Sequence, residues 1–312
     1  IEGLGQTAYI SDPSSSTVTF TPTSDWSDGK WYVKVYAFDK AGNRSAASVQ
    51  GSVTIDTVGC TVSSVVLNNG APYTNSAATV KVYLNVSGND CTKYKLSETP
   101  VEPAGWNNTI PTTWATAVTF PVTDSTSLAT DGYRYVYAWV KDAAGNSSMV
   151  DLANRGVIFL DTTKPFVPLA ATTTSPTTDA QPTFTWQAGT DPVVGSGLAA
   201  SNTYEFEASA DAGFATSFDK VFTSGLSASF TKAFTAVNYN TYYLRLRAYD
   251  KAGNAGDWVT STVIVDKTPP TCSFLIENGA AYTNKTKVTI NPTAADPWAP
   301  ITMSFSLDST FA

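Results

Sequence analysis

The sequence predicts an all-β protein made of tandem β-sandwich domains joined end to end, and three observations carry that reading. First, threonine and valine are abundant, aromatic residues make up 12% and charged residues only 14% of the 312 residues; such a mixture favours half-buried strands over helices. Second, apolar residues alternate in three runs: Val33, Val35 and Ala37, then Val136, Ala138 and Val140, then Leu244, Leu246 and Ala248. A period of two marks a strand with one buried face. Third, each run leads into the same turn, Asp39-Lys40-Ala41-Gly42-Asn43, Asp142-Ala143-Ala144-Gly145-Asn146 and Asp250-Lys251-Ala252-Gly253-Asn254, at separations of 103 and 108 residues. That spacing is the length of one sandwich domain.

After each turn a further strand ends in an acidic junction: Val53-Thr54-Ile55-Asp56-Thr57, Ile158-Phe159-Leu160-Asp161-Thr162 and Val263-Ile264-Val265-Asp266-Lys267. The last two run on into Pro165 and Pro269-Pro270. Proline donates nothing to a strand ladder and stiffens its neighbour, so these segments read as short, stiff connectors. A second repeat opens the units that follow, Leu67-Asn68-Asn69-Gly70-Ala71-Pro72-Tyr73-Thr74-Asn75 and Ile276-Glu277-Asn278-Gly279-Ala280-Ala281-Tyr282-Thr283-Asn284. The resulting frame has the later strands of a domain at 1–56, complete domains at 57–161 and 162–266, and the opening strands of another at 267–312. Residue 1 placed after residue 312 would set the turns at Asp250 and Asp39 101 residues apart. Two expectations follow: a window of a longer array, or half-domains completed between subunits.

The run from Tyr242 to Asn254, with Phe184-Thr185-Trp186 before it, resembles a fibronectin type III or bacterial Ig-like repeat. The Asn-Gly-Ala-x-Tyr-Thr-Asn openings and the Asp-Thr-Thr-Lys-Pro and Asp-Lys-Thr-Pro-Pro junctions resemble the tandem Ig-like repeats of large prokaryotic cell-surface proteins and adhesins. The resemblance implies Ig-like character for 1–56, 57–161 and 267–312 and fibronectin type III-like character for 162–266. It implies an extracellular or cell-surface location, and calcium at domain junctions as in related adhesin repeats. It leaves the role open, because this architecture serves as spacer, stalk, adhesin and enzyme appendage alike.

Several function classes are disfavoured. The chain contains no histidine, which removes Ser/His/Asp triads, Cys/His dyads and zinc-histidine sites. Its net charge of −7, with Lys and Arg scattered singly, argues against a nucleic-acid partner. No apolar stretch approaches the roughly 20 residues needed to cross a bilayer, and the first residues lack a signal-peptide pattern. No pair of acidic residues reads as a glycosidase acid and base. The expectation is a non-catalytic extracellular structural repeat protein, forming a stalk, fibre, filament or sheath. The alternatives are an adhesin or carbohydrate-binding module, or the appendage of a secreted enzyme. Its partners would be copies of itself or neighbouring repeats, with a surface glycan or protein as a further target.

Candidate ligands follow from counting reversals through a seven-strand sandwich. Strand A leaves the junction, so the B–C, D–E and F–G turns come back to it. This brings Asp56 together with Asn89, Asp90, Asp142 and Asn146, and Asp161 with Asp191, Asp250 and Asn254. Calcium takes six to eight oxygens of these kinds. The alternative is local: Gly42, Gly145 and Gly253 supply a positive φ while Asp and Asn bond the turn backbone. Cys60 and Cys91 fall at the same end, within reach of a disulfide, and Cys272 lacks a visible partner. Tyr32, Lys34, Tyr36 and Phe38, and Tyr135, Tyr137 and Trp139, read as outer-face rows, either able to meet a sugar or a neighbour or covered in part by loops of their own domain. Acceptor patterns for N-glycosylation start at Asn43, Asn85, Asn107, Asn146 and Asn284.

Overall fold

A computed structural model describes residues 25–88, 90–123, 130–235, 239–298 and 301–307. The chain divides into two compact units, one of Ile1–Pro72, Ala77–Ala129 and Tyr133–Ile158, the other of Tyr73–Ser76, Thr130–Gly132 and Phe159–Ala312. Among the described residues regular structure is almost entirely β, with only short 3-10 turns besides.

In the first unit the strands Thr61–Leu67, Val80–Ser87 and Val118–Phe120 form one antiparallel sheet. Gly132–Asp142, Cys91–Ser97 and Asn107–Asn108 belong to a second, where Ser147–Met149 also pairs with Gly132–Asp142. Alternation explains the core between them: Val62, Val65, Leu67, Val80, Val82 and Leu84 share one buried cluster with Val136, Ala138, Val140 and Ile158. Gly156 is a close approach in this core, because a Cβ there would lie 2.9 Å from both Leu67 Cγ and Val65 Cγ1. The hairpin of Gly29–Val33 and Gly51–Ile55 is also antiparallel. It repeats the alternating pattern, yet Val33, Val35 and Val53 are exposed.

The second unit contains a four-stranded antiparallel sheet in the order Asp219–Thr223, Tyr204–Ser209, Tyr239–Ala248, Val259–Asp266, and a smaller pair, Phe184–Thr185 with Ser227–Ala228. Its core is aromatic. Phe184, Trp186, Phe206, Phe230 and Phe234 pack with Tyr242, Leu244, Leu246, Val263 and Val265, and Phe206 stacks on Phe230 with ring centres 4.6 Å apart. Tyr73–Thr74 pairs in parallel with Phe159–Leu160. A C-terminal hairpin joins Thr271–Ile276 to Ile290–Ala295, and its Phe274, Leu275, Ile276 and Ile290 are exposed.

The outer face of the four-stranded sheet is a charged lattice. Glu205 and Glu207, opposite Arg247 and Arg245 in the ladder, are only 2% exposed and accept from the Nε of those arginines at 2.7 Å. Lys220 reaches Glu205 at 2.6 Å. The guanidiniums interleave with rings: Arg245 lies 4.5 Å from the Phe214 ring centre and 4.3 Å from that of Trp258, and Arg247 lies 4.2 Å from Trp258 and 5.1 Å from Tyr249. Such cation–π stacking holds both arginines above the carboxylates.

Candidate functional site

The repeated turn is built first by its own side chains. Asp142 Oδ1 accepts from the Gly145 and Asn146 N–H groups at 2.6 and 2.8 Å, and Asn146 Nδ2 donates to Asp142 Oδ2 at 2.9 Å. Asp39 accepts from Ala41 N and from the backbone and side chain of Asn43, and Asp250 from the backbone and side chain of Asn254. Gly42, Gly145 and Gly253 adopt φ of 90°, 110° and 93°, a region open to glycine at little cost. The local reading of this motif is therefore present in all three copies.

Two copies do more. The second N–H of the Asn146 amide donates to the Asp56 carbonyl at 3.0 Å, and that of Asn254 to the Asp161 carbonyl at 2.8 Å. Each turn thus clamps the acidic connector that precedes its repeat. Carboxylates gather there: Asp56, Asp90 and Asp142 each offer an oxygen within 4.8 Å of the others, and so do Asp161, Asp191 and Asp250. Asn89 lies outside the described residues. Asn146 and Asn254 use their amides as donors to the connector and the turn aspartate.

The second cluster is the more enclosed. Asp161 and Asp250 are buried. Asp161 Oδ2 accepts from Ser196 N at 2.7 Å and Oδ1 from Thr163 N at 3.1 Å, while Asp191 Oδ2 accepts from Gly197 N at 2.6 Å. Asp191 Oδ1 is buried with no hydrogen-bond partner. Burial pushes the Asp191 carboxyl above its ordinary range; the Gly197 bond opposes this, and the nearby Asp161 and Asp250 charges add to it. Burial likewise raises Asp250 against its bonds from Asn254, and the Asp161 charge adds to the rise. In the first cluster the Val58 N–H draws Asp56 down, but desolvation and the neighbouring Asp90 and Asp142 carry it upward. Asp142 goes the other way, since bonds from Asn146 and Gly145 outweigh its desolvation. Three carboxylates this close repel one another unless a proton or a cation intervenes.

Cys60 and Cys91 form a disulfide with Cα atoms 5.6 Å apart, within the ordinary span of such a bond. It ties the start of the second repeat to the residue after Asp90. Cys272 is free and exposed. The aromatic rows divide. Tyr32, Tyr36 and Phe38 are exposed, whereas Trp139 is buried, flanked in the ladder by Lys95 and Met149. Tyr137 packs against the core, and Arg155 lies 4.6 Å from the Tyr135 ring centre. Trp139 is thus covered by its own repeat, and Tyr135 and Tyr137 are partly covered.

The connectors have a second clamp that sequence reading missed. Asp28 Oδ1 accepts from the Thr57 N–H and Oγ1 at 3.0 and 2.8 Å. Asp131 Oδ1 accepts from the same atoms of Thr162 at 2.7 and 2.8 Å, and its Oδ2 bonds Thr163 Oγ1. The signal was available, because Asp28-Gly29 and Asp131-Gly132 recur at the 103-residue spacing of Asp39 and Asp142.

Residues 1–57 and 219–267 each match a bacterial Ig-like domain family. Those two stretches cover about a third of the chain, and the regular structure of the described residues is that of an all-β protein with several sheets. Over 268 residues the chain is 29% identical to Exoglucanase B of Cellulomonas fimi, a match covering 82% of this chain and 22% of that protein; the chain spans about a fifth of that relative's length. Among solved structures it is similar to the fibronectin(III)-like modules of Clostridium thermocellum CbhA, at 11% identity and a TM-score of 0.40, covering 65% of this chain and 94% of that one. It is also similar to a tetra-tandem repeat from the extending region of a large adhesion protein, at 18% identity and a TM-score of 0.26, covering 86% and 64%. No helix among the described residues is long and apolar enough to cross a membrane.

Proposed function

We propose that this chain is a non-catalytic extracellular spacer, a string of sandwiches whose junctions are stiffened by calcium. The observation that carries the reading is the doubly clamped connector. Asp131 holds Thr162 from one side while Asn254 holds the Asp161 carbonyl from the other, and three carboxylates converge on that stretch. A connector fixed in this way limits bending, which a spacer needs and a catalyst does not. The donor set fits a hard cation, being all oxygen, and the partnerless buried Asp191 Oδ1 is a group that a cation would satisfy. Asp161, Asp191 and Asp250 would hold one ion and Asp56, Asp90 and Asp142 another, each neutralising charge that otherwise repels. Bound calcium would stabilise the folded array by mass action.

Small-angle scattering and thermal melting, with calcium and then with chelator, test this reading. Calcium should raise the melting temperature and lengthen the particle, and Asp191→Asn should remove the response of its cluster. Identical curves in calcium and chelator for the parent chain would sink the calcium role, and a compact, bendable particle in both would sink the spacer role.

A second reading is favoured by the match to Exoglucanase B: the spacer belongs to a secreted glucan-degrading enzyme and sets the distance between its parts. Pelleting with insoluble cellulose separates spacer from binding module. A spacer stays in the supernatant.

A further inference from the structure

A polar cleft lies beside the connector of the third repeat and contains none of the clustered carboxylates. Its volume is about 440 Å³, and it is lined by Asn75, Lys164, Arg247, Asp257 and Trp258 and by the turn from Gly253 to Gly256. All of these belong to the second compact unit. Clefts that hold small ligands start at roughly 300 Å³. Its walls are set in advance. Glu205 holds Arg247 through Nε at 2.7 Å and through Nη2 at 2.5 Å, and Tyr249 Oη donates to the same carboxylate oxygen at 2.6 Å. The Arg247 guanidinium in turn lies 4.2 Å from the Trp258 ring centre. Gly253 keeps the space above the turn open, since a Cβ there would lie 3.7 Å from Asn75 Nδ2. Groups fixed in this way lose little freedom when a ligand arrives.

The charges around the cleft come in pairs. Arg247 faces Glu205 and Lys164 faces Asp257 at 2.9 Å, so the net pull on an ion is small. What remains is a mixed set of donors and acceptors beside an indole. Arg247 Nη1 has no partner among the described residues. Lys164 has hydrogens to spare, Asn75 offers an amide, and Asp257 offers a second oxygen. A hydroxyl both donates and accepts, and a ring that carries several of them also presents C–H groups to an aromatic wall. We propose that this cleft binds a neutral oligosaccharide, with Asn75, Lys164, Arg247 and Asp257 bonding its hydroxyls and Trp258 meeting its C–H groups. A carboxylate, phosphate or sulfate would find no unpaired cation there, and an apolar ligand would strip water from two ion pairs. Lys164 and Asp257 keep 61% and 77% of their side chains exposed, so the cleft is open and its affinity is on the order of millimolar. Such a site goes beyond spacing and depends neither on calcium nor on stiff junctions; the glucan reading supplies only the first probe.

Titration of the full chain, isotope-labelled at tryptophan for NMR, with cellohexaose, maltohexaose and sodium sulfate tests this. The chain has 8 tryptophans, and the Trp258 indole resonance is the one missing from Trp258→Phe. It should move saturably with at least one of the two sugars and stay in place with sulfate. Asn75→Ala and Asp257→Ala, both at exposed positions, should each weaken sugar binding about two- to tenfold, as the loss of one neutral hydrogen bond does. Far-UV circular dichroism and melting should match the parent chain in both variants. No shift with either sugar overturns the proposal. So does a saturable shift with sulfate, or sugar binding that both variants leave at the parent's strength. Cellohexaose as the stronger ligand agrees with the glucan reading, whereas maltohexaose as the stronger keeps the cleft and counts against that reading. Stiffness is measured without sugar, and a millimolar site leaves the chain in the supernatant above pelleted cellulose, so failure here leaves the spacer reading intact and a bendable array leaves the cleft intact.

Discussion

Glu205 shows how a carboxylate is kept charged inside a sheet. It is nearly fully buried, and desolvation alone would raise its pKa; bonds from Lys220, Tyr249 and Arg247 outweigh that and hold it below the ordinary value of 4.5. The sign of the stability effect follows. A carboxyl whose folded pKa is depressed contributes fully above its unfolded value, and the contribution disappears as pH falls through the folded one. Glu205→Gln should therefore cost about 1.5–3 kcal/mol at neutral pH, the range for hydrogen bonds to charged groups. It should also flatten the acid limb of the third repeat's stability between about pH 5 and 3. Urea unfolding at a series of pH values, followed by tryptophan fluorescence, measures both; an acid limb as steep as the parent's would show that the carboxylate's charge is not responsible. Alternation along Tyr204–Ser209 indicates an outward face for Glu205 and Glu207, but it gives no sign of their burial. The cover comes from Lys220, Arg245, Arg247 and Trp258, each supplied by another part of the chain.

Among the elements, the strands were legible where the apolar period was clean. Val136, Ala138 and Val140, and Leu244, Leu246 and Ala248, are buried because each run meets an opposing sheet. Val33 and Val35 follow the same pattern and lie open, since period two states which residues share a face and not whether anything covers it. The candidate site was legible as far as topology reaches. Counting reversals brought Asp56 to Asp90 and Asp142, and Asp161 to Asp191 and Asp250, because turns at one end of a sandwich must return there. The clamps from Asp28 and Asp131 depend instead on pairing a turn with a connector some 30 residues on, which no local pattern encodes. Gly156 tests the packing at this scale. A Cβ there would lie 2.9 Å from Leu67 Cγ and Val65 Cγ1, so Gly156→Ala should overpack the core and cost about 1–3 kcal/mol. Adding Leu67→Val should recover part of the loss in a double-mutant cycle, and full additivity of the two changes would show that the side chains do not meet as described.

On the scale of the whole molecule, the second and third repeats should respond differently to a pull. The disulfide between Cys60 and Cys91 encloses a separation of 31 residues, whereas the third repeat contains no cysteine. Stretched chain spans at most about 3.3–3.6 Å per residue, so roughly 11 nm of the second repeat's contour is withheld from extension while the bridge is intact. Drawn between a bead and a surface, the array should yield two unequal unfolding steps. Reductant should lengthen the second repeat's step by about 11 nm and leave the third repeat's step unchanged; two steps insensitive to reductant would show that the bridge does not bear the load. The cross-link thus acts as a tether with a fixed stop, and redox conditions set how far a pulled array pays out before its backbone takes the force.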